Sequence, residues 1–134
     1  MTNTAPRIRI RRAYDPAART DGYRVLVDRL WPRGVTRAGL RLDAWFKELA
    51  PSDSLRRWFA HDPKRWQGFV RRYREELRTA EASALLDDLA RRVHEGTVTL
   101  VYGARDEQHN HAVVLGEEIA LRSRQRRRPP AGGR

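Results

Sequence analysis

The sequence predicts an α/β fold: a small, mostly parallel sheet of three or four strands, flanked by about five helices in Rossmann-like layers. Two short runs carry this prediction, residues 23–28 (YRVLVD) and 97–102 (TVTLVY). Both are apolar at most positions and rich in β-branched residues, which is typical of strands buried on both faces of a parallel sheet. A long segment with helical periodicity separates them and can form the crossover that parallel strands need.

The elements follow in order along the chain. Residues 7–11 alternate Arg with Ile, the pattern of a half-buried strand. After the first buried strand, Pro32, Gly34 and Gly39 predict an irregular loop. The spacing i, i+3, i+4, i+7 then predicts a helix with one apolar face. That face consists of Leu42, Trp45, Phe46 and Leu49.

Three further helices precede the second buried strand. Ser52 is a plausible N-cap for a short helix that contains Leu55, and Asp62-Pro63 marks the start of the next helix. The third carries Leu85, Leu86, Leu89 and Val93 on one face. A last helix opens near Asn110. We expect disorder over residues 1–6, one domain over residues 7–122, and a disordered basic tail over residues 123–134, where Pro, Gly and Arg dominate.

Composition excludes several classes of protein. The 134 residues contain no cysteine, which rules out thiolate metal sites, disulfides and a cysteine nucleophile. No apolar run has the length of a membrane span and no signal peptide is recognisable, so we expect a cytoplasmic protein without membrane contact. No motif predicts a metal or a cofactor. The formal net charge is +11, and six of the 28 basic residues lie at position 122 or beyond.

Two loops carry the candidate chemistry. Since parallel strands end at the same edge of a sheet, the loops after the two buried strands should meet there. We expect Arg29, Arg33 and Arg105 to bind an anion near the N-terminus of the last helix, together with Asn110. The same loops supply three candidate catalytic residues: Asp28 or His111 as the acid or base, and Tyr102 as a hydrogen-bond donor. Asp28 has the alternative role of capping a turn or pairing with Arg, and His111 that of a packing residue.

Several sequence runs resemble the YeaO-like branch of the family called domain of unknown function 488. They cover nearly all of residues 7–121, and the most specific lies around residues 26–34. The runs are YDP (14–16), DGYRVLVDRLWPRG (21–34), APS (50–52), LRRWFAHD (55–62), RYREEL (72–77) and VTLVYGARDEQHNHAVVL (98–115).

The resemblance implies an α/β fold with a short parallel sheet and brings no established activity. It also implies that Tyr102 and Asn110 stand where the wider family often has cysteines, while His111 is kept. Thiol chemistry of the wider family is therefore excluded for this chain. Arg105 stands where YeaO-like proteins often have Lys, so the charge is retained and an amine nucleophile is not.

Two hypotheses of function remain. The first is a protein with a basic, anion-binding cleft at the strand ends, a candidate enzyme acting on a phosphate- or carboxylate-bearing small molecule. The alternative is a nucleic-acid-binding or accessory protein that uses its basic surface and Arg-rich tail. A concave cluster of Arg favours the first, and a long convex stripe favours the second. The sequence does not decide the substrate or the oligomeric state.

Overall fold

The computed structural model describes residues 7–127, which contain four β-strands and five α-helices. The strands are β1 (Ile8–Arg12), β2 (Tyr23–Leu26), β3 (Ala44–Trp45) and β4 (Val98–Tyr102). The helices are α1 (Arg37–Leu40), α2 (Asp53–Phe59), α3 (Trp66–Glu76), α4 (Ala80–Val93) and α5 (His111–Arg127). Each strand pairing is parallel, and the strand order is β1-β4-β2-β3. The predicted α/β fold is confirmed.

Alternating side chains of the central strands face two unequal cores. Val25, Val98 and Leu100 point into the larger one, which α2, α3, α4 and α5 cover. Leu26 and Val101 point into the smaller one, which α1 and the loop after β2 cover. All five residues of β4 are buried, as its mostly apolar sequence predicts. The helical layer therefore lies mainly on one face of the sheet.

The helix predicted over Leu42, Trp45, Phe46 and Leu49 is wrong. This segment contains strand β3 followed by a 3₁₀ turn over Lys47–Leu49. Ala44 and Trp45 pair with Val25 and Leu26 of β2. The open edge of β2 supplies backbone hydrogen bonds to this segment, and this tertiary pairing overrides the helical spacing of the apolar residues.

The boundary predicted between domain and tail also needs correction. Helix α5 continues to Arg127, and Ser123 is buried. Arg122 donates hydrogen bonds to the backbone and side-chain oxygens of Ser83 and to Asp87, which fasten this part of α5 to α4. Residues 1–6 and 128–134 lie outside the described residues, so the disorder expected there stays a prediction. Within residues 7–127, no helix has the length and apolar character needed to cross a membrane.

A buried ion pair fixes the start of β2. Arg24 Nη1 lies 2.6 Å from Asp21 Oδ2, and Arg24 Nε donates to the carbonyl of Leu40 at 3.0 Å. Asp21 is fully buried and also accepts a hydrogen bond from the backbone N–H of Ala18. Burial opposes ionisation of Asp21, but the bonds from Ala18 and Arg24 outweigh it, and the pKa of the carboxyl is lowered.

We expect Asp21→Asn to destabilise the fold by about 3–5 kcal/mol, because it leaves the buried charge of Arg24 without its partner. Because the pKa of Asp21 is lowered in the folded state, the free energy of unfolding of the wild type depends on pH. The stabilising effect of the Asp21 carboxylate is complete above the ordinary aspartate pKa and is lost as the pH falls through the lower, folded-state pKa. Urea unfolding of both proteins across acidic pH measures this difference. A gap in stability that stays constant down to the acid transition contradicts the assignment.

Two glycines form a matched test of backbone packing. Gly22 and Gly34 both have positive φ, +64° and +78°. A Cβ on Gly22 would lie 2.3 Å from the carbonyl oxygen of Thr97, whereas a Cβ on Gly34 meets nothing within 4 Å. We expect Gly34→Ala to lose about 1 kcal/mol from the positive φ alone, and Gly22→Ala to lose roughly 3 kcal/mol or more. Thermal unfolding checks this order, and equal losses contradict the packing of Gly22 against β4.

Candidate functional site

The strand order creates a crevice at the carboxyl edge of the sheet. After β2 the chain leads to β3, on the side away from β4, whereas after β4 it leads to α5, which packs against β1. The loops that follow these two neighbouring strands therefore diverge. In open parallel sheets such a switch point is the usual position of a ligand site.

Asp28 ties the two strand ends together. Its Oδ2 accepts a hydrogen bond from the backbone N–H of Gly103 at 2.9 Å. A Cβ at position 103 would lie 3.1 Å from that oxygen, so glycine permits the close approach. The backbone carbonyl of Asp28 accepts a hydrogen bond from Trp45 Nε1 at 2.7 Å. Asp28 thus connects β2 with β3 on one side and with the loop after β4 on the other.

His111, the first residue of α5, lies against the same carboxylate. Its Nε2 is 3.0 Å from Asp28 Oδ1 and 3.1 Å from the carbonyl oxygen of Val27. Since a carbonyl oxygen can only accept, Nε2 carries a hydrogen and donates it to Val27. The ring packs edge-on against buried Tyr73, at 6.2 Å between centroids.

A second acid–imidazole pair lies in the loop after β4. Asp106 Oδ2 is 2.9 Å from His109 Nδ1, and Asp106 Oδ1 accepts backbone N–H bonds from Gln108 and His109. The bond from Gln108 and those from His109 lower the pKa of Asp106. The His109 ring meets Trp66 edge-on at 5.3 Å between centroids. This loop is therefore fixed by its own polar contacts before any ligand is present.

A cavity of about 350 Å³ opens between these loops and α2. Three arginines line it, Arg29, Arg56 and Arg57. Asp53 Oδ1 is 2.9 Å from Arg29 Nη2 and 2.7 Å from Arg56 Nη2, and the hydrogen bond from Arg56 is the main cause of a lowered pKa at Asp53. The Arg57 guanidinium has no hydrogen bond or ion pair among the described residues. The lining thus includes one exposed arginine whose guanidinium makes no direct polar contact within residues 7–127.

Four of the seven predicted site residues line this cavity: Asp28, Arg29, Asn110 and His111. Asn110 caps α5 rather than presenting a free amide, since its Nδ2 donates to the carbonyl of Asp106 and its Oδ1 accepts from Val113 N. The amide nitrogen and the amide oxygen of Asn110 therefore both have hydrogen-bond partners within the protein.

The other three predicted residues lie outside the cavity lining. Arg33 and Arg105 are exposed to solvent elsewhere. Tyr102 is buried in the larger core, where burial raises the pKa of its phenol, with the charge of Glu107 adding to the effect. Although Arg33 and Arg105 belong to the expected loops, position within a loop does not determine the direction of a long side chain.

Sequence reasoning missed Arg56, Arg57 and His61 as lining residues. All three belong to the run LRRWFAHD (residues 55–62). The apolar residues of this run and the N-cap Asp62 predict helices, but they do not predict a contact with a ligand. Ala60 and His61 adopt left-handed backbone conformations, with φ of +48° and +55°. Two such residues in succession cost about 1–2 kcal/mol each, and this tight bend brings His61 to the cavity.

Among residues 7–127, no group of three or more His, Asp or Glu side chains is arranged to hold a metal ion. The two acid–imidazole pairs, Asp28 with His111 and Asp106 with His109, each contain one carboxylate and one ring. The chemistry that the cavity offers is therefore charge, hydrogen-bond donors and an apolar wall.

The role of Asp28 can be tested by a graded pair of substitutions. We expect Asp28→Ala to destabilise the fold by about 1–3 kcal/mol, because the partly buried N–H of Gly103 loses its acceptor. Asp28→Asn keeps an oxygen for that N–H and should lose clearly less. Urea unfolding gives both values. If Asn is as damaging as Ala, the hydrogen bond to Gly103 is not the stabilising contact.

Comparison with known proteins assigns the chain to a family. The family model described as "Inactive DUF488-N3 subclade" matches residues 7–132. The Escherichia coli K12 protein YeaO, which is uncharacterised, is 42% identical over 111 residues that cover 82% of this chain and 94% of YeaO. Uncharacterised proteins of Mycobacterium tuberculosis H37Rv and Mycobacterium bovis are 40% identical, over 83% of this chain and 92% of theirs. No solved structure is a significant match. The chain belongs to the DUF488 family and is a YeaO-like member of it.

Proposed function

We propose that this protein binds a small anionic molecule in the cavity at the carboxyl edge of the sheet, and that it does so without converting it. One observation carries the proposal. Arg29, Arg56 and Arg57 line the same concave site, and the guanidinium of Arg57 makes no hydrogen bond or ion pair with the described residues, although its charge helps to lower the pKa of Asp53. A guanidinium in such a position can offer two parallel N–H donors to a phosphate or a carboxylate.

The charges around the cavity favour an anion. Asp53 bridges Arg29 and Arg56, holding the two guanidiniums on one side of the site and neutralising part of their charge. Asp28 is the one carboxylate in the lining, and it is already bonded to Gly103 and adjacent to His111. With neutral imidazoles, three guanidiniums against this one carboxylate leave the lining with a formal charge of +2.

Binding is supported over catalysis by the way the acidic and basic groups are used. Asp28 holds two strand ends, and His111 donates its Nε2 hydrogen to a backbone carbonyl. The described lining contains no serine, threonine, tyrosine or lysine that could act as a nucleophile. The description of the matching family model as an inactive subclade also supports a binding role.

The alternative of nucleic-acid binding has one observation in its favour. Arg124 and Arg126 are exposed on the last turns of α5. Contacts of this kind are electrostatic, and their affinity falls steeply with salt. The cavity is the better-supported site because its cations converge in a concave pocket with an apolar wall, as ligand sites do.

A titration with inorganic phosphate tests the proposal directly. Isothermal titration calorimetry on the full chain should detect one saturable site. We expect Arg57→Gln to weaken binding about tenfold to a hundredfold, the value of a lost charge-assisted hydrogen bond. Arg71→Gln is the matched control, since Arg71 is also an exposed helical arginine and does not line the cavity. Equal weakening by both substitutions rules out this function, as does the absence of saturable binding by both inorganic phosphate and an organic phosphate.

A further inference from the structure

We propose that the ligand is an aromatic or heteroaromatic compound that carries a phosphate group, rather than a bare anion. This inference rests on the function proposed above and specifies its ligand. It follows from the composition of the cavity lining, which combines arginines with aromatic side chains. Phe59 and Phe69 line the same cavity as Arg29, Arg56 and Arg57.

The aromatic side chains of the lining belong to a preassembled wall. The rings of Phe59 and Phe69 lie 4.6 Å apart between centroids at an interplanar angle of 31°, and Trp66 stacks on Phe69 at 5.5 Å. Phe59 and Phe69 are 6% and 2% exposed, so the surrounding core holds them firmly. Only a small part of each ring reaches the cavity, and that part can contact a ligand ring without losing side-chain freedom on binding.

The arginines of α2 and the aromatic side chains are positioned by the same two helices. Arg56 and Arg57 precede Phe59 on α2, whose Ser52 cap accepts a hydrogen bond from Leu55 N. Phe69 lies on α3, and His61 lies in the left-handed bend between the two helices, with its ring 6.2 Å from that of Phe59. A ligand that contacts both the guanidiniums and the aromatic wall therefore spans a short distance along α2.

The size of the cavity also exceeds the need of a bare anion. A volume of about 350 Å³ falls in the range of roughly 300–1,000 Å³ that accommodates organic ligands, whereas a water molecule occupies about 30 Å³. A phosphate monoester carries a charge of about −1.5 to −2 at neutral pH, which complements the net positive lining. The arginines can therefore bind the phosphate group, and the rest of the cavity is large enough for a ring.

A series of four probes tests this inference on the unmodified protein. Phenyl phosphate, inorganic phosphate, phenol and benzoate are titrated separately by calorimetry. We expect phenyl phosphate to bind at least about tenfold more tightly than inorganic phosphate, which corresponds to 1.4 kcal/mol, and phenol to bind more weakly than either. Benzoate, which has the ring and a single negative charge, should bind more weakly than phenyl phosphate.

The outcomes separate the inference from the function beneath it. If inorganic phosphate binds as tightly as phenyl phosphate, anion binding stands and the aromatic ligand is ruled out. Phenol or benzoate binding as tightly as phenyl phosphate overturns the requirement for phosphate. Failure of all four probes contradicts the proposed function itself. Phe59→Leu adds a second measurement: it should reduce the ratio between the affinities for phenyl phosphate and for inorganic phosphate, both measured on the same variant.

Discussion

The contact between Asp28 and the backbone N–H of Gly103 joins the ends of the two central strands, β2 and β4. The loops beyond these strands run to opposite sides of the sheet, so no regular strand pairing continues between them. Instead of strand pairing, the carboxylate of Asp28 connects the ends of β2 and β4. His111 lies beside this side chain and donates a hydrogen bond to the carbonyl of Val27, which fixes the start of α5 relative to the sheet. The floor of the cavity depends on these contacts.

The walls of the cavity depend on polar contacts of a second kind. Arg12, at the end of β1, donates to the carbonyls of Gly103 and Ala104 and so holds the loop after β4 from its other side. Asp106 closes that loop through bonds to Gln108 and His109. Asp53 holds two guanidiniums against the opposite wall. Most charged groups around the cavity are thus fixed by the fold, whereas Arg57 has no hydrogen bond or ion pair among the described residues.

Much of the fold was predictable because its central strands are short runs that are apolar at most positions and rich in β-branched residues. This composition of residues 23–28 and 97–102 is typical of buried parallel strands, and the helical segment between them predicts the crossover that joins such strands. The segment around Trp45 was not predictable in the same way. Its spacing fits a helix, and only the open edge of β2 makes it a strand. The length of α5 was also hidden, since the contacts of Arg122 with Ser83 and Asp87 are made across the fold.

The residues of the candidate site also differ in how far the local sequence determines their position. Asp28, Arg29, Asn110 and His111 lie close to strand ends or to a helix start, where the backbone fixes their position, and they line the cavity. Arg33 and Arg105 belong to the same loops but extend elsewhere into solvent. Arg56, Arg57 and His61 reach the cavity from α2 and the bend after it. Their contribution depends on how α2 packs over the sheet, which local sequence patterns do not specify.

The most direct test of this account is a crystal structure of the protein with phenyl phosphate. The account predicts the phosphate group within hydrogen-bonding distance of the Arg57 guanidinium, the ring against Phe59 and Phe69, and the Asp28 contact to Gly103 unchanged. A ligand bound outside this cavity, or inside it with the phosphate directed away from all three guanidiniums, would contradict it.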